Sequence, residues 1–314
     1  MDVIVFLKEE EEYIEWRDSL KQEGEELSIE KRDSREAFLK PCLGERTLWT
    51  NNMEGAAILP QKPCQDGAAL RTDNMEWAAM LSQKPCQGGA ALWVTDDAEA
   101  ARSAAENGFP VIYYERSGQD RVWQADMTVL SLEGLDGTLM DRVFRRHYGL
   151  PWIICRTRRL LIRESIREDF EALYRMDRED SGNPFLLHMS GDKEAERETF
   201  NAYLRHQYPL YGYGLYTLEE RESHTVIGRA GFAQRQEQGK TCLELGYQIG
   251  KRFRRMGYAG EAVYALGERM EELTGEQTAW IFCHPGNLPS IRTAKRLLQS
   301  FPDRFSLVLT RSVC

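Results

Sequence analysis

The chain of 314 residues lacks any apolar run long enough to cross a bilayer, since a spanning helix needs about 20 such residues. Its first apolar run, Val3–Leu7, is short and is followed at once by acidic residues, unlike the start of a signal peptide. Its seven cysteines include no closely spaced pair, which suits a reducing compartment better than a disulfide scaffold. These absences predict a soluble protein of the cytoplasm with no membrane partner.

Positive charge is also in deficit. Lysine and arginine number 41 against 50 acidic residues, for a net charge of −9. A general nucleic-acid-binding protein needs a basic surface, so we expect no nucleic-acid partner. Hydrophobic residues make up 42% of the chain, enough for buried cores, and the length predicts two domains.

The first segment combines an apolar run with a dense acidic run. Val3–Leu7 predicts a buried strand. Glu9–Glu12 has two interpretations, a metal or partner site and a solvated helix start. We favour the solvated helix, because acids at a helix start offset the helix dipole.

An internal repeat covers about residues 40–92. Asn52–Leu70 and Asn74–Leu92 are identical at 15 of 19 positions, with a period of 22 residues. Three cysteines recur at this spacing and raise the alternative of a metal site, but the repeat has no Cys-x-x-Cys and no nearby histidine. We therefore expect no metal, and we explain the spacing by repetition of a Lys-Pro-Cys turn. The cysteines are Cys42, Cys64 and Cys86.

A small α/β unit follows the repeat. Its predicted elements are strand Ala91–Thr95, helix Ala98–Asn107, strand Phe109–Tyr114 and strand Met127–Leu132. Short loops between a strand, a helix and a strand imply a right-handed parallel crossover. Residues 95–112 resemble the late acidic motif of haloacid-dehalogenase-like phosphatases.

Those enzymes also need an early Asp-x-Asp nucleophile, whereas Lys8-Glu9 follows the first strand here. We therefore expect no phosphatase chemistry, and we interpret Asp96 and Asp97 as a helix N-cap rather than metal ligands. Asp141–Trp152 predicts a short helix that ends at Gly149. The domain boundary is placed there, giving an α/β domain of residues 1–150 and a second domain of residues 151–314. His147 is interpreted as a packing or helix C-terminal residue, with catalysis as the alternative.

The most informative stretch of the second domain is Leu243–Ala262. Leu243–Ile249 alternates apolar and polar residues and predicts a strand, and the apolar spacing from Ala259 to Met270 predicts an amphipathic helix. Between them lies a basic turn with small residues. Small residues admit a ligand close to the backbone, and the helix start leaves N–H groups unpaired. The stretch therefore predicts a pyrophosphate-binding turn.

This stretch resembles the acetyl-CoA signature of the GNAT acetyltransferases, Arg/Gln-x-x-Gly-x-Gly/Ala, through Arg254, Gly257 and Ala259. Thr157–Glu164, followed by Asp169, resembles the first strand and helix of the branch that includes ribosomal-protein N-terminal acetyltransferases. Pro285–Ser290 is similar to that branch's Asn-x-x-Ser turn. The resemblance covers about residues 155–300. It implies an α+β fold, with a GNAT-like mixed sheet flanked by helices, preceded here by the smaller α/β domain.

The resemblance also implies acetyl-CoA as cosubstrate and an amine acceptor as the second partner, without a metal. The residues it assigns to acetyl-CoA binding are Ile249, Arg254, Arg255, Met256, Gly257, Tyr258, Ala259, Gly260, Asn287 and Ser290.

For catalysis we select Glu244 as the base and Tyr247 as a candidate acid. Between two leucines the Glu244 carboxylate is partly desolvated, which raises its pKa; the alternative is a strand residue in a surface ion pair. The position of the family's usual acid, a tyrosine, is occupied by Ala294. Tyr258 and Cys283 are other polar groups available to act as the acid.

The sequence thus predicts an N-acetyltransferase acting on a primary amine of a small molecule, a peptide or a protein N-terminus. The alternative is a CoA-binding regulatory protein with weak or no transfer activity, because the expected acid is missing. A homodimer is compatible with either function.

Overall fold

The computed structural model describes residues 2–6, 16, 19, 56–58, 91–116, 118 and 120–310. The acidic run Glu9–Glu12 and almost all of the repeat lie outside these residues. The chain divides into two compact units, Met1–Tyr148 and Gly149–Cys314. None of the helices in the described ranges is both long and apolar enough to cross a membrane.

The N-terminal unit contains a five-stranded sheet in the order β2-β1-β3-β4-β5. β1, β3, β4 and β5 are parallel, and β2 is antiparallel to β1. The strands are β1 (Asp2–Phe6), β2 (Ala56–Ile58), β3 (Ala91–Thr95), β4 (Val111–Tyr114) and β5 (Met127–Val129), and the described helices are α1 (Ala98–Glu106) and α2 (Gly137–His147).

Two caps explain the helix boundaries in this unit. Asp97 accepts hydrogen bonds from the backbone N–H groups of Glu99 and Ala100, both at 2.9 Å, and so begins α1. Asp136 accepts from Leu139 N–H at 2.7 Å, which begins α2 earlier than the predicted Asp141. β5 ends at Val129, three residues before the predicted strand end.

The C-terminal unit contains a seven-stranded mixed sheet in the order β12-β11-β10-β9-β8-β7-β6. β6 to β10 pair antiparallel, whereas β10, β11 and β12 are parallel. The strands are β6 (Ile153–Arg156), β7 (Leu160–Arg163), β8 (Leu215–Glu220), β9 (Thr225–Glu237), β10 (Lys240–Ile249), β11 (Ala279–Cys283) and β12 (Phe305–Leu309), and the helices are α3 (Phe170–Glu179), α4 (Lys193–Tyr211), α5 (Tyr258–Glu268), α6 (Met270–Thr274) and α7 (Leu288–Ser300). The predicted α+β layout, a mixed sheet flanked by helices, is confirmed.

The strands of this unit differ from the prediction in number and in length. β6 directly follows the predicted domain boundary at residue 150 and was not predicted. The apolar residues of Thr225–Phe232 predict a strand, and β9 continues five residues further, where polar residues give no apolar alternation, because it pairs with β10 along the whole of that strand. β10 begins at Lys240, three residues before the predicted Leu243.

The helices pack against the sheet and form a buried core with it. Ala262 and Leu266 of α5 and Leu297 of α7 pack with the sheet residues Leu245 and Ile281 in one buried cluster. Phe170 and Leu173 of α3 pack against Phe200 of α4, with Val226 of β9 beside them. Burying large apolar side chains contributes roughly 1.5–3 kcal/mol each, which holds β9 and β10 in the centre of the unit.

Candidate active site

The carboxyl end of β10 has an unpaired edge. β10 pairs with β9 from Lys240 to Ile249, but its registered pairing with β11 is the single pair Glu244–Trp280. Among the described residues, no strand therefore pairs with the β11 side of residues 245–249. Free N–H and C=O groups on a strand edge can bond an extended ligand.

A turn and a helix start follow this edge. Gly257 has φ of +87° and Arg255 has φ of +64°, the left-handed region that favours glycine. The first helical hydrogen bond of α5 runs from Glu261 N–H to the Gly257 carbonyl at 3.1 Å. The N–H groups of residues 258–260 therefore have no acceptor within the helix, and such a helix start attracts anions.

The edge and the turn open into one cavity of about 1660 Å³. Most of the predicted site residues line it, whereas Met256 and Glu244 do not. Those that line it are Tyr247, Ile249, Arg254, Arg255, Gly257, Tyr258, Ala259, Gly260, Asn287 and Ser290.

The cavity is cationic although the chain is acidic. Its lining contains eight arginine or lysine side chains against four acidic ones, and the arginines offer bidentate donors to phosphate oxygens. Arg292 and Arg296 lie one helical turn apart on α7, and both are exposed. Neither was predicted, although their spacing of four residues after the Asn-x-x-Ser turn indicates a shared helix face.

Arg254 supports the turn through protein contacts. Its two terminal nitrogens pair with the carboxylate of Asp180, and its Nε donates to the Ile249 carbonyl at 3.0 Å. Burial disfavours the Asp180 anion, but hydrogen bonds from Arg254 and Asn183 outweigh it and lower the pKa of Asp180. The signature arginine thus joins the end of β10 to the end of α3.

Glu261 anchors the start of α5. Its carboxylate accepts from Thr157 Oγ1 at 2.5 Å, Arg159 N–H at 2.9 Å and Arg159 Nε at 2.7 Å. Burial raises the pKa of Glu261, but these donors reverse the shift and lower it. Arg159 also donates to the Met256 carbonyl at 2.8 Å and lies 4.3 Å from the ring centre of Tyr258. The turn is therefore held from the β6–β7 side.

Tyr247 lines the cavity and contacts the start of α7. Its phenol oxygen lies 3.0 Å from Ser290 Oγ. Ser290 belongs to the helix start capped by Asn287, whose Oδ1 accepts from Ser290 N–H at 3.3 Å. Burial raises the pKa of Tyr247, and hydrogen bonds from Ser290 and Thr293 only partly oppose it. The phenol therefore keeps its proton and can donate it.

Glu244 lies at the single registered pair of β10 and β11, on the face opposite Tyr247. Its side chain is 25% exposed, and Arg235 Nη1 lies 3.2 Å from its Oε2. Burial raises the pKa of Glu244, against the opposing effect of Arg235. The two sequence interpretations of Glu244 predict an ion pair and a partly desolvated carboxylate, and the structure shows both.

The other two candidate acids are Tyr258 and Cys283, and the phenol of Tyr258 donates to Glu220 Oε1 at 2.5 Å. Burial raises the pKa of Cys283 to about 11. Ala294 is 3% exposed within the core. Within the ranges the structure describes, no group of three or more His, Cys, Asp and Glu side chains is arranged to hold a metal ion.

Comparison with known proteins identifies the domain. Residues 159–297 match the family model described as acetyltransferase (GNAT) domain. The uncharacterised protein YkkB of Bacillus subtilis (strain 168) is 32% identical over 111 residues, which are 34% of this chain and 61% of that protein. The chain thus spans about three fifths of the length of this curated relative.

Solved structures of low identity are also similar. An acetyltransferase of the GNAT family from Bacillus anthracis is 20% identical, with a TM-score of 0.38, covering 45% of this chain and 80% of that one. RimL, a ribosomal-protein alpha-N-acetyltransferase solved in complex with coenzyme A, is 18% identical, with a TM-score of 0.39, covering 46% and 82%. The family match lies wholly within the C-terminal unit, so the haloacid-dehalogenase resemblance of residues 95–112 stays a prediction. The C-terminal half of the chain contains an acetyltransferase (GNAT) domain.

Proposed function

We propose that this domain transfers an acetyl group from acetyl-CoA to a primary amine of a small molecule, a peptide or a protein N-terminus. The observation that carries the proposal is one cavity that joins an anion-attracting helix start, an unpaired strand edge and a buried phenol. The helix start at Tyr258–Gly260 suits the pyrophosphate, and the edge of residues 245–249 suits the amide groups of the pantetheine arm.

The chemistry asks three things of the protein. The amine must lose a proton to attack, the oxyanion of the tetrahedral intermediate needs a donor, and the departing thiolate needs a proton. In this proposal an unpaired backbone N–H of β10 is the oxyanion donor. Tyr247 donates the proton to the thiolate, and Glu244, which lies outside the cavity lining on the opposite face of β10, accepts the amine proton through water.

A coupled thiol-release assay with a panel of primary amines tests this function, with acetyl-CoA affinity measured in parallel by calorimetry. We expect amine-dependent thiol release. The competing function is a CoA-binding protein without transfer, which the buried Ala294 at the usual acid position favours. Acetyl-CoA binding with no amine-dependent release from any amine would support the competing function and contradict ours.

We also propose that residues 1–150 form a domain that folds separately and has no phosphatase activity. Arg116 Nε binds the Asp96 carboxylate at 2.8 Å, and Asp97 caps α1, so both acids already have structural roles. Magnesium-dependent hydrolysis of a generic phosphate ester, lost in Asp96→Asn, would contradict this proposal. Limited proteolysis between the two halves tests the boundary.

Cytoplasmic location, a homodimer and the lack of a nucleic-acid partner stay predictions from the sequence. Fractionation, light scattering and a nucleic-acid retention assay test each of them in turn.

A further inference from the structure

An arginine of β9 contacts a residue of β10 that lines the cavity. Arg229 of β9 is paired across the sheet with Gln248 of β10, and its Nε donates to Gln248 Oε1 at 3.2 Å. Gln248 itself lines the cavity. Arg229 is half-buried, and no acidic side chain among the described residues forms an ion pair with it.

The other buried arginines of this sheet are neutralised. Arg163 pairs with Asp169 and Glu219 at 2.8 and 2.9 Å. Arg235 pairs with Glu237 and Glu244 at 3.5 and 3.2 Å. A half-buried guanidinium that departs from this pattern is costly unless a ligand supplies the anion. Burial lowers the pKa of Arg229, and the charges of tyrosines and acids of the same unit, first among them Tyr203 and Asp177, only partly offset it.

Four of the five guanidinium N–H donors of Arg229 have no partner among the described residues. One donor bonds Gln248, and the terminal nitrogens bond no group in the part of the chain that the structure describes. Neither terminal nitrogen is sealed inside the protein. Two parallel N–H groups of a guanidinium match the two oxygens of a carboxylate.

The neighbouring surface has room for the rest of such a ligand. Gly246 lies two residues before Gln248 on β10, and therefore on the same face of the sheet. A Cβ atom placed on Gly246 would meet no atom within 4 Å. Glu244 follows on that face, two residues further back. The open space above Gly246 lies about 7 Å along the strand from Gln248.

We propose that Arg229 binds the carboxylate of the acceptor, and that the acceptor is a small amine whose carboxylate lies a few bonds from its nitrogen, as in an amino acid. With the carboxylate on Arg229, the amine lies above Gly246, beside the unpaired edge of β10. This inference rests on the proposed acetyl transfer, since it names the acceptor class for that same site.

Matched acceptors test the inference on the unmodified protein. The thiol-release assay compares free amino acids with their C-terminal carboxamides, which differ in the one charged group. We expect the acids to exceed the amides in kcat/KM by roughly 30-fold or more, the scale for leaving a buried charge without its partner. Equal turnover of acids and amides would overturn the inference.

Variants of Arg229 test whether this residue causes the preference for acids. Arg229→Gln should abolish the difference between acid and amide, and Arg229→Lys should retain part of it. Arg205→Gln removes an exposed arginine of α4 and is the control, which should keep the full preference. Persistence of the acid preference in a folded Arg229→Gln protein, verified by thermal unfolding, would overturn the inference.

A binding measurement separates this inference from the proposed function. Calorimetry of the CoA-loaded protein compares N-acetyl amino acids with N-acetyl amino acid amides, and needs no turnover. Tighter binding of the acids, lost in Arg229→Gln, supports the carboxylate site even if no amine is acetylated. If the amides are acetylated while the acids are neither acetylated nor bound more tightly than the amides, the carboxylate site is contradicted. The same result supports the proposed acetyl transfer.

Discussion

The guanidinium of Arg254 binds the carboxylate of Asp180 through both terminal nitrogens, while its Nε donates to the carbonyl of Ile249 at 3.0 Å. These contacts connect two segments that are 74 residues apart in the chain. The signature arginine therefore positions the end of β10, and we expect its effect on acetyl-CoA binding to pass through Asp180.

This relationship predicts a coupled pair of variants. Arg254→Met and Asp180→Asn should each weaken acetyl-CoA binding by about 1–2 kcal/mol, because the turn loses a support. The double variant should cost about as much as either single one. Arg252→Met is the control: Arg252 is 77% exposed and pairs with Glu179. Tighter acetyl-CoA binding by Asp180→Asn would show that Arg254 binds the phosphate directly.

Tyr247→Phe removes the proposed acid and keeps the ring. We expect kcat to fall by roughly 10²–10⁴-fold, the range for lost acid catalysis, with little change in acetyl-CoA affinity. The raised pKa of Tyr247 means that the phenol holds its proton through neutral pH. The exposed Tyr211 gives the matched control Tyr211→Phe. Steady-state kinetics with a productive amine measure both, and an unchanged kcat removes Tyr247 from the mechanism.

Glu244→Gln tests the base and has a pH signature. Burial raises the pKa of Glu244, so the acidic limb of the wild-type pH–rate profile should lie above the ordinary glutamate value. In the variant the rate should fall by roughly 10²–10⁴-fold and the acidic limb should vanish. Glu237→Gln, which removes the other carboxylate beside Arg235, should leave the profile in place. If Glu244 serves only its ion pair, the variant costs at most about 1 kcal/mol of stability and keeps the wild-type profile.

His147 links the stability of the N-terminal unit to pH. Burial opposes its charged form, but hydrogen bonds and charge from Asp126 and the Gly108 carbonyl prevail and raise the pKa of His147 above 6.5. The stabilisation is fully present below that ordinary value and is lost as pH rises through the folded-state pKa. His147→Gln should therefore lower the unfolding temperature at about pH 5 and have little effect at about pH 9. Calorimetry measures the unfolding temperature of His147→Gln and of the control His206→Gln at both pH values. An equal loss for His147→Gln at the two pH values would contradict the prediction.

The sequence predicted those parts of the site that depend on local patterns. Alternation at Leu243–Ile249 and the small residues of the basic turn at Gly257 and Ala259 are each encoded within a few residues, so the strand, the turn and the helix start were predicted in order. The buried helix face beginning at Ala259 was predicted for the same reason.

Long-range partners were not predictable in this way. Asp180 and Arg254 meet only because α3 ends beside β10, and nothing near either residue in the chain indicates the pair. Arg229 and Gln248 face one another through the register of two strands, which a single sequence does not specify. The spacing of Arg292 and Arg296 on α7 is visible in the sequence, but only the structure shows that both line the cavity.

The most direct test of the account is the affinity of Gly257→Val for acetyl-CoA. Gly257 has φ of +87°, and a Cβ there would also lie 3.3 Å from Arg159 Nη2. A β-branched residue in this conformation costs roughly 1–3 kcal/mol. Gly275→Val is the matched control, since Gly275 has φ of +72° and open space around it, and it does not line the cavity. We predict by calorimetry that Gly257→Val loses about 1–3 kcal/mol of acetyl-CoA binding while Gly275→Val binds like the wild type; unchanged affinity in Gly257→Val would contradict the assignment of this turn to acetyl-CoA.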